Sequence, residues 1–115
     1  MKGKILGVTV ELDHLTNPDV MKRYEDSIPE ILEIMNKSQE CKSGSEGIRI
    51  QCQAVIDAFT EMFGEEKTKE ILGEQTNVLK CMDAFDEYVN LFPKQVIPGI
   101  EKRMEKYSRN RLEGR

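Results

Sequence analysis

The chain has 115 residues, of which 38% are hydrophobic and 33% charged, with a formal net charge of −4 and a single histidine. This length supports one hydrophobic core and not two, and the apolar residues recur with a period, which argues against disorder. No apolar run approaches the roughly 20 residues that span a bilayer, and the N-terminal MKGKILGVTVELDH, broken by Gly7 and Thr9, is too short in apolar residues for a secretory signal, so a cytoplasmic protein is expected.

Residues 5–12 alternate Leu6, Val8, Val10 and Leu12 with Gly7, Thr9 and Glu11, the period of two of a strand with one buried face. Its backbone groups need a partner. Either Gly7 turns the chain into a hairpin pairing residues 2–6 with 8–12, or the strand pairs with a second copy of the chain.

In TNPDV, Asn17 is placed to cap a helix, Pro18 suits its first position, and Asp19 faces the positive end of its dipole. Val20, Tyr24, Ile28, Ile31, Leu32 and Met35 then form one stripe, which Pro29 interrupts without changing its phase. One kinked helix is expected. KSQECKSGSEG (37–47) reads as a loop. A second helix from about Ser45 presents Ile48, Cys52, Val55, Ile56, Phe59, Met62 and Phe63, and stops at Gly64. EEKTKEILG is a short amphipathic helix anchored by Ile71 and Leu72. Thr76 or Asn77 caps a third long helix carrying Val78, Leu79, Met82, Phe85, Val89 and Phe92. FPKQVIPG is expected to break or bend it at Pro93 and Pro98. A last charged helix, Ile100 to Tyr107, has only Ile100, Met104 and Tyr107 as a narrow apolar stripe.

These elements predict a mainly α single domain over residues 1–115, with three to four helices, a short β-strand or hairpin within residues 1–15 and a basic segment at 100–115. Charge is divided unevenly: residues 101–115 hold six basic and three acidic side chains, net +3, leaving −7 on residues 1–100.

The chemical inventory is thin. His14 reads as a surface histidine near a turn. Asp83, Asp86 and Glu87 crowd one region of the third helix, where Asp83 and Glu87 are like charges four apart on a solvated face. Cys41, Cys52 and Cys81 are odd in number, with no CxxC-type pair to organise zinc; reduced thiols are expected, with Cys52 and Cys81 as small buried hydrophobes. No motif for a catalytic serine, a phosphate cradle or a metalloprotease is present, so neither an enzyme, a cofactor nor a metal is expected. The acidic body opposes a nucleic-acid partner for the basic tail and leaves a protein partner or a solvated end.

SEGIRIQCQAVIDAFTEMFG, NVLKCMDAFDEYV and the terminal EKYSRNR together resemble a family of small proteins from the tail modules of siphophages and prophages of Gram-positive bacteria, similar to tail assembly chaperones. The resemblance runs from the first strand to the final arginines. It implies a non-enzymatic protein of the bacterial host cytoplasm. Its partners would be the aggregation-prone tape measure protein, which it covers, and the tail-tube protein, which it helps recruit. Nucleic acid and membrane are not among the implied partners. With that role, the C-terminal segment becomes a docking element, with Tyr107 as aromatic anchor, Asn110 as hydrogen-bonding group, and Arg109 and Arg111 as charged contacts. A structural or completion protein of the tail, or a small phage enzyme or host-takeover factor, are the rival readings.

Overall fold

The computed structural model describes the backbone of residues 1–75 and 77–113 and the side chains of 1–75 and 77–109. Two antiparallel strands, β1 (Lys2–Ile5) and β2 (Val8–Glu11), open the chain as a hairpin. Its turn is the pair Leu6–Gly7, both at positive φ (49° and 79°), a two-residue connection whose twist matches that of the strands. The register sets Ile5 against Val8 and Gly3 against Val10, so Ile5, Val10 and Leu12 enter the core. A single 3-10 turn, Asp13–Thr16, follows and buries Leu15.

Helix α1 (Pro18–Ser38) begins as expected, with the Asn17 side chain accepting from the backbone N–H of Asp19 and Val20 at 2.9 and 3.3 Å. It runs through Pro29 unbroken. Its buried line is Tyr24, Ser27, Ile31 and Ser38, whereas Leu32 is 47% exposed and leaves the stripe assigned to it. The loop is shorter than the composition of 37–47 suggests: α1 continues to Ser38 and α2 (Gly44–Phe63) starts early, capped by Ser43, whose hydroxyl accepts from the Glu46 N–H. Cys52, Ala54, Val55, Phe59 and Met62 are buried along α2, while Ile48 stays exposed. Gly64, at φ 92°, ends α2 and leads into α3 (Glu65–Leu72), where Ile71 and Leu72 enter the core. On the outside, Arg23 of α1 makes a two-pronged bond to Glu61 of α2 at 2.7 and 3.1 Å, and that contact keeps the Glu61 carboxyl below its ordinary range.

Helix α4 (Val78–Val89) is capped by Asn77, which accepts from the Lys80 N–H at 2.8 Å; Thr76 lies outside the described residues. Its buried face is Cys81, Ala84, Phe85 and Tyr88, with Val78, Val89 and Phe92 half-buried against the core, so of the stripe read from the sequence Leu79 and Met82 are out of phase. Leu79 and Met82 are 71% and 49% exposed. The chain is irregular here, as expected: α4 stops at Val89, with Asn90 as its C-cap, ahead of Pro93. A π turn, Phe92–Val96, carries it into α5 (Ile97–Glu113), which begins before the expected Ile100 and extends past Tyr107. The described residues thus form five α-helices where three to four were expected.

Pro93 has no N–H, so the Val89 carbonyl four residues earlier loses its helical donor. The Tyr24 hydroxyl of α1 takes that place, lying 2.7 Å from the Tyr88 carbonyl oxygen and 2.9 Å from that of Val89. Ser27 closes the loop: its hydroxyl donates to the Tyr24 carbonyl at 2.6 Å and accepts from the Tyr88 hydroxyl at 2.7 Å. Around this polar knot Phe59 and Phe85 pack on Tyr88, with ring centroids 5.1 and 6.3 Å away. Burial raises the pKa of both phenols, and that of Tyr88 to about 12.

Removing Phe59 from this cluster, where it is fully buried, is expected to cost about 3–5 kcal/mol, and Phe85→Ala a similar amount; denaturant melts measure both. Tyr24→Phe leaves the Val89 carbonyl short of a donor and should cost about 1–3 kcal/mol by the same assay. Because the folded state favours the neutral phenol of Tyr88, its contribution is fully present below the ordinary tyrosine pKa of 10 and is lost as pH rises toward 12. Stability measured across that window should therefore fall.

Candidate functional site

The π turn decides where α5 goes. It aims Gln95 at the outer edge of β1, where the side chain accepts from the Lys4 N–H at 2.8 Å and donates to the Lys4 carbonyl at 3.0 Å, acting as a third strand one residue long. Glu87 of α4 adds a bond from the Leu6 N–H at 2.9 Å. A side chain at Gly3 would collide with Gln95 and Leu12, so glycine is what lets the helix approach. Further along, the Met1 side chain packs on Gly99, and the N-terminal amine meets the Asp13 carboxylate at 2.6 Å. That hydrogen bond holds the Asp13 carboxyl below its usual range, with smaller help from Arg103.

Past this root, α5 leaves the body. The molecule measures 69 × 24 × 19 Å with a radius of gyration of 17.1 Å, against about 13 Å for a compact domain of this length. The 17 residues of α5 would span about 26 Å at 1.5 Å each, which accounts for the elongation. Ile100, Met104 and Tyr107 share one side of it and are 37%, 61% and 63% exposed. Along this side, Met1, Asp13, Gly99, Ile100, Met104 and Tyr107 help line an open groove of about 490 Å³.

Of the C-terminal residues singled out in the sequence, Tyr107 lies on this stripe. Arg109 is two residues on, on the far side of the helix, where it meets Glu105 at 3.4 Å. The two do not form one surface. Asn110 and Arg111 belong to α5 by backbone, and their side chains lie outside the described residues. Ile100, Met104 and Tyr107 stay exposed, as their narrow stripe predicts; what the sequence reading missed is that Leu79 and Met82 sit uncovered on α4.

Other candidates acquire structural roles. His14 is half-buried, not a surface residue: its ring stands edge-on to Phe63, and its Nε2 lies 2.9 Å from the Met62 carbonyl oxygen. A carbonyl only accepts, so Nε2 carries the hydrogen and caps one of the last carbonyls of α2. Glu87 is likewise taken out of the expected solvated pair with Asp83 by its bond to Leu6. Cys52 and Cys81 are buried as expected, and the Cys81 thiol is pushed up to about 12 by burial, with Cys52 beside it. A thiol held protonated in this way is a poor nucleophile. Among the described residues, no group of three or more His, Cys, Asp or Glu side chains could hold a metal ion.

The architecture is that of a small helical domain, with an N-terminal hairpin pinned to the root of a projecting C-terminal helix. The chain belongs to DUF6673, a family of unknown function, whose model matches residues 6–115. No curated protein and no solved structure matches it.

Gln95→Ala should free the outer edge of β1 at a cost of about 1 kcal/mol. Amide hydrogen exchange is the direct check: Lys4 should exchange faster in the variant, while Val10, whose ladder bonds face β1, should keep its protection.

Proposed function

We propose that the protein is a non-enzymatic tail assembly chaperone of a siphophage or prophage, which covers the tape measure protein and engages tail-tube subunits in the host cytoplasm. The observation that carries this reading is the projecting α5, an amphipathic helix with Ile100, Met104 and Tyr107 exposed and with net positive charge. A tape measure chain presents long helical stretches with apolar stripes, and helix-on-helix docking read at i, i+4 and i+7 is a standard way to cover them. The resemblance of three sequence stretches to tail assembly chaperones supplies the partner. Tyr107 is the aromatic anchor in this reading, and Arg109, Asn110 and Arg111 continue the contact beyond it. Self-association through the N-terminal hairpin remains compatible with the fold, but only along β2, because Gln95 and Glu87 occupy the outer edge of β1.

The test is co-expression with a siphophage tape measure protein and a tail-tube protein, followed by pull-down and thermal melts. Deleting residues 107–115 is expected to leave the melting temperature unchanged, since Tyr107 and Arg109 are exposed. Capture of the tape measure should fall about tenfold or more, the loss of one aromatic anchor. Equal capture by both forms would remove the tail from the contact, and failure of the full chain to bind either protein would defeat the assignment.

A further inference from the structure

Two exposed faces of this molecule share one spacing. On α4, Leu79, Met82, Asp83 and Asp86 stand at i, i+3, i+4 and i+7 and point directly away from the buried line of Cys81, Ala84, Phe85 and Tyr88. On α5, Ile100, Arg103, Met104 and Tyr107 repeat the same steps. Leu79 and Met82 are 71% and 49% exposed, and Met104 and Tyr107 61% and 63%. The first face is apolar with acids, the second apolar with bases, since Arg103 lies in the stripe and Lys106 beside it.

We propose that α5 of one copy docks on the outer face of α4 of a second copy, so that the chain associates head to tail. The two faces cannot meet within one molecule. Residues 91–113 are helical throughout, so no loop lets α5 fold back on the outer face of α4. Pairing of two α5 helices with each other is disfavoured by charge, because residues 101–115 carry +3 while residues 1–100 carry −7. A parallel alignment that sets Leu79 against Ile100 puts Met82 level with Arg103, Asp83 level with Met104 and Asp86 level with Tyr107, whose hydroxyl can donate to the carboxylate; Asp83, one position past the level of Arg103, is within reach of that long side chain, and Lys106 lies alongside. Such a contact is heterologous: each copy offers one tail and one receiving face, so the product is a closed ring, of which a reciprocal two-membered exchange is the smallest, or an open chain. The proposal needs only this chain and does not rest on the tail-assembly reading.

Sedimentation of the full chain at low and high salt tests it. Wild type is expected to form oligomers that weaken at high salt, because charge pairs on an open surface are screened within about 10 Å or less. Met82→Glu, which spoils the receiving face, and Met104→Glu, which spoils the tail, should each be monomeric with unchanged circular dichroism, as both side chains are exposed. Mixed together, the two variants should form a one-to-one dimer, since one brings an intact tail and the other an intact face. Exchanging the charges, Asp83→Arg with Arg103→Asp, should restore association that either change alone removes. The idea is overturned if wild type stays monomeric at every concentration, or if the mixed variants stay apart, which is the signature of two-fold tail pairing. It is equally overturned if the oligomer survives both variants and disappears with Thr9→Pro, the result expected of strand addition along β2.

Discussion

One hydroxyl group organises the C-terminal half of this protein. Pro93 removes a donor from the helix that follows α4, and an uncompensated carbonyl in the core would cost about 1–3 kcal/mol. Tyr24, almost seventy residues earlier in the chain, supplies the missing hydrogen bond to Val89 and shares it with Tyr88. The same ring packs edge-on against Tyr88 at 4.9 Å, so the polar contact is sealed inside an aromatic cluster and is not exposed to competing water. A helix that could have ended at the proline is thereby kept going.

What continues is not a regular helix. The π turn inserts a residue's worth of rotation, so that Leu91 before it and Val96 at its end are both buried while Gln95 faces the hairpin. Because the β1 edge is completed by this glutamine, the hairpin and the last helix brace each other: the outward peptide groups of Lys4 are satisfied, and α5 gains a fixed origin. The N-terminal amine, bound to Asp13 beside Gly99, adds a second point of attachment. Direction is thus imposed on α5 at its base, which is why it can stand clear of the body over most of its length.

The parts of the fold that depend on near neighbours could be read from the sequence. Asn17 before Pro18, Gly7 in the hairpin turn, Gly64 after α2 and the line of Cys52, Val55 and Phe59 are local signals, and each acts where the residues suggest. The failures came where a distant group decides the outcome. The irregularity at Pro93 could be read, but the helical path past it rests on Tyr24. The phase of α4 was misjudged because Leu79 and Met82 are large and wholly apolar whereas Ala84 is small and Tyr88 carries a hydroxyl, although the latter pair faces the core. His14 carried no periodic signal, and its role at the end of α2 depends on a contact 48 residues away. For the tail, the narrow stripe and the basic charge were evident, but the separation of Tyr107 from Arg109 follows from helical geometry that the list of residue types alone conceals.

The exposed stripe on α5 has an energetic consequence. An isolated helix of about 12–15 residues is marginal in water even for favourable sequences, since nucleation costs are repaid only by packing or length. Here the nucleus is provided: the π turn and Val96 hand α5 its first turn already formed, so propagation costs little more than the order of each added residue. Glu105 and Arg109, four apart and in the favourable orientation, add a few tenths of a kcal/mol. Those terms can hold a helix without requiring a buried face, and they leave Ile100, Met104 and Tyr107 free of intramolecular duty. Preformed and anchored at one end, such a helix loses less conformational entropy on docking than a disordered tail would, so a short apolar stripe with flanking charge is enough to give a specific contact.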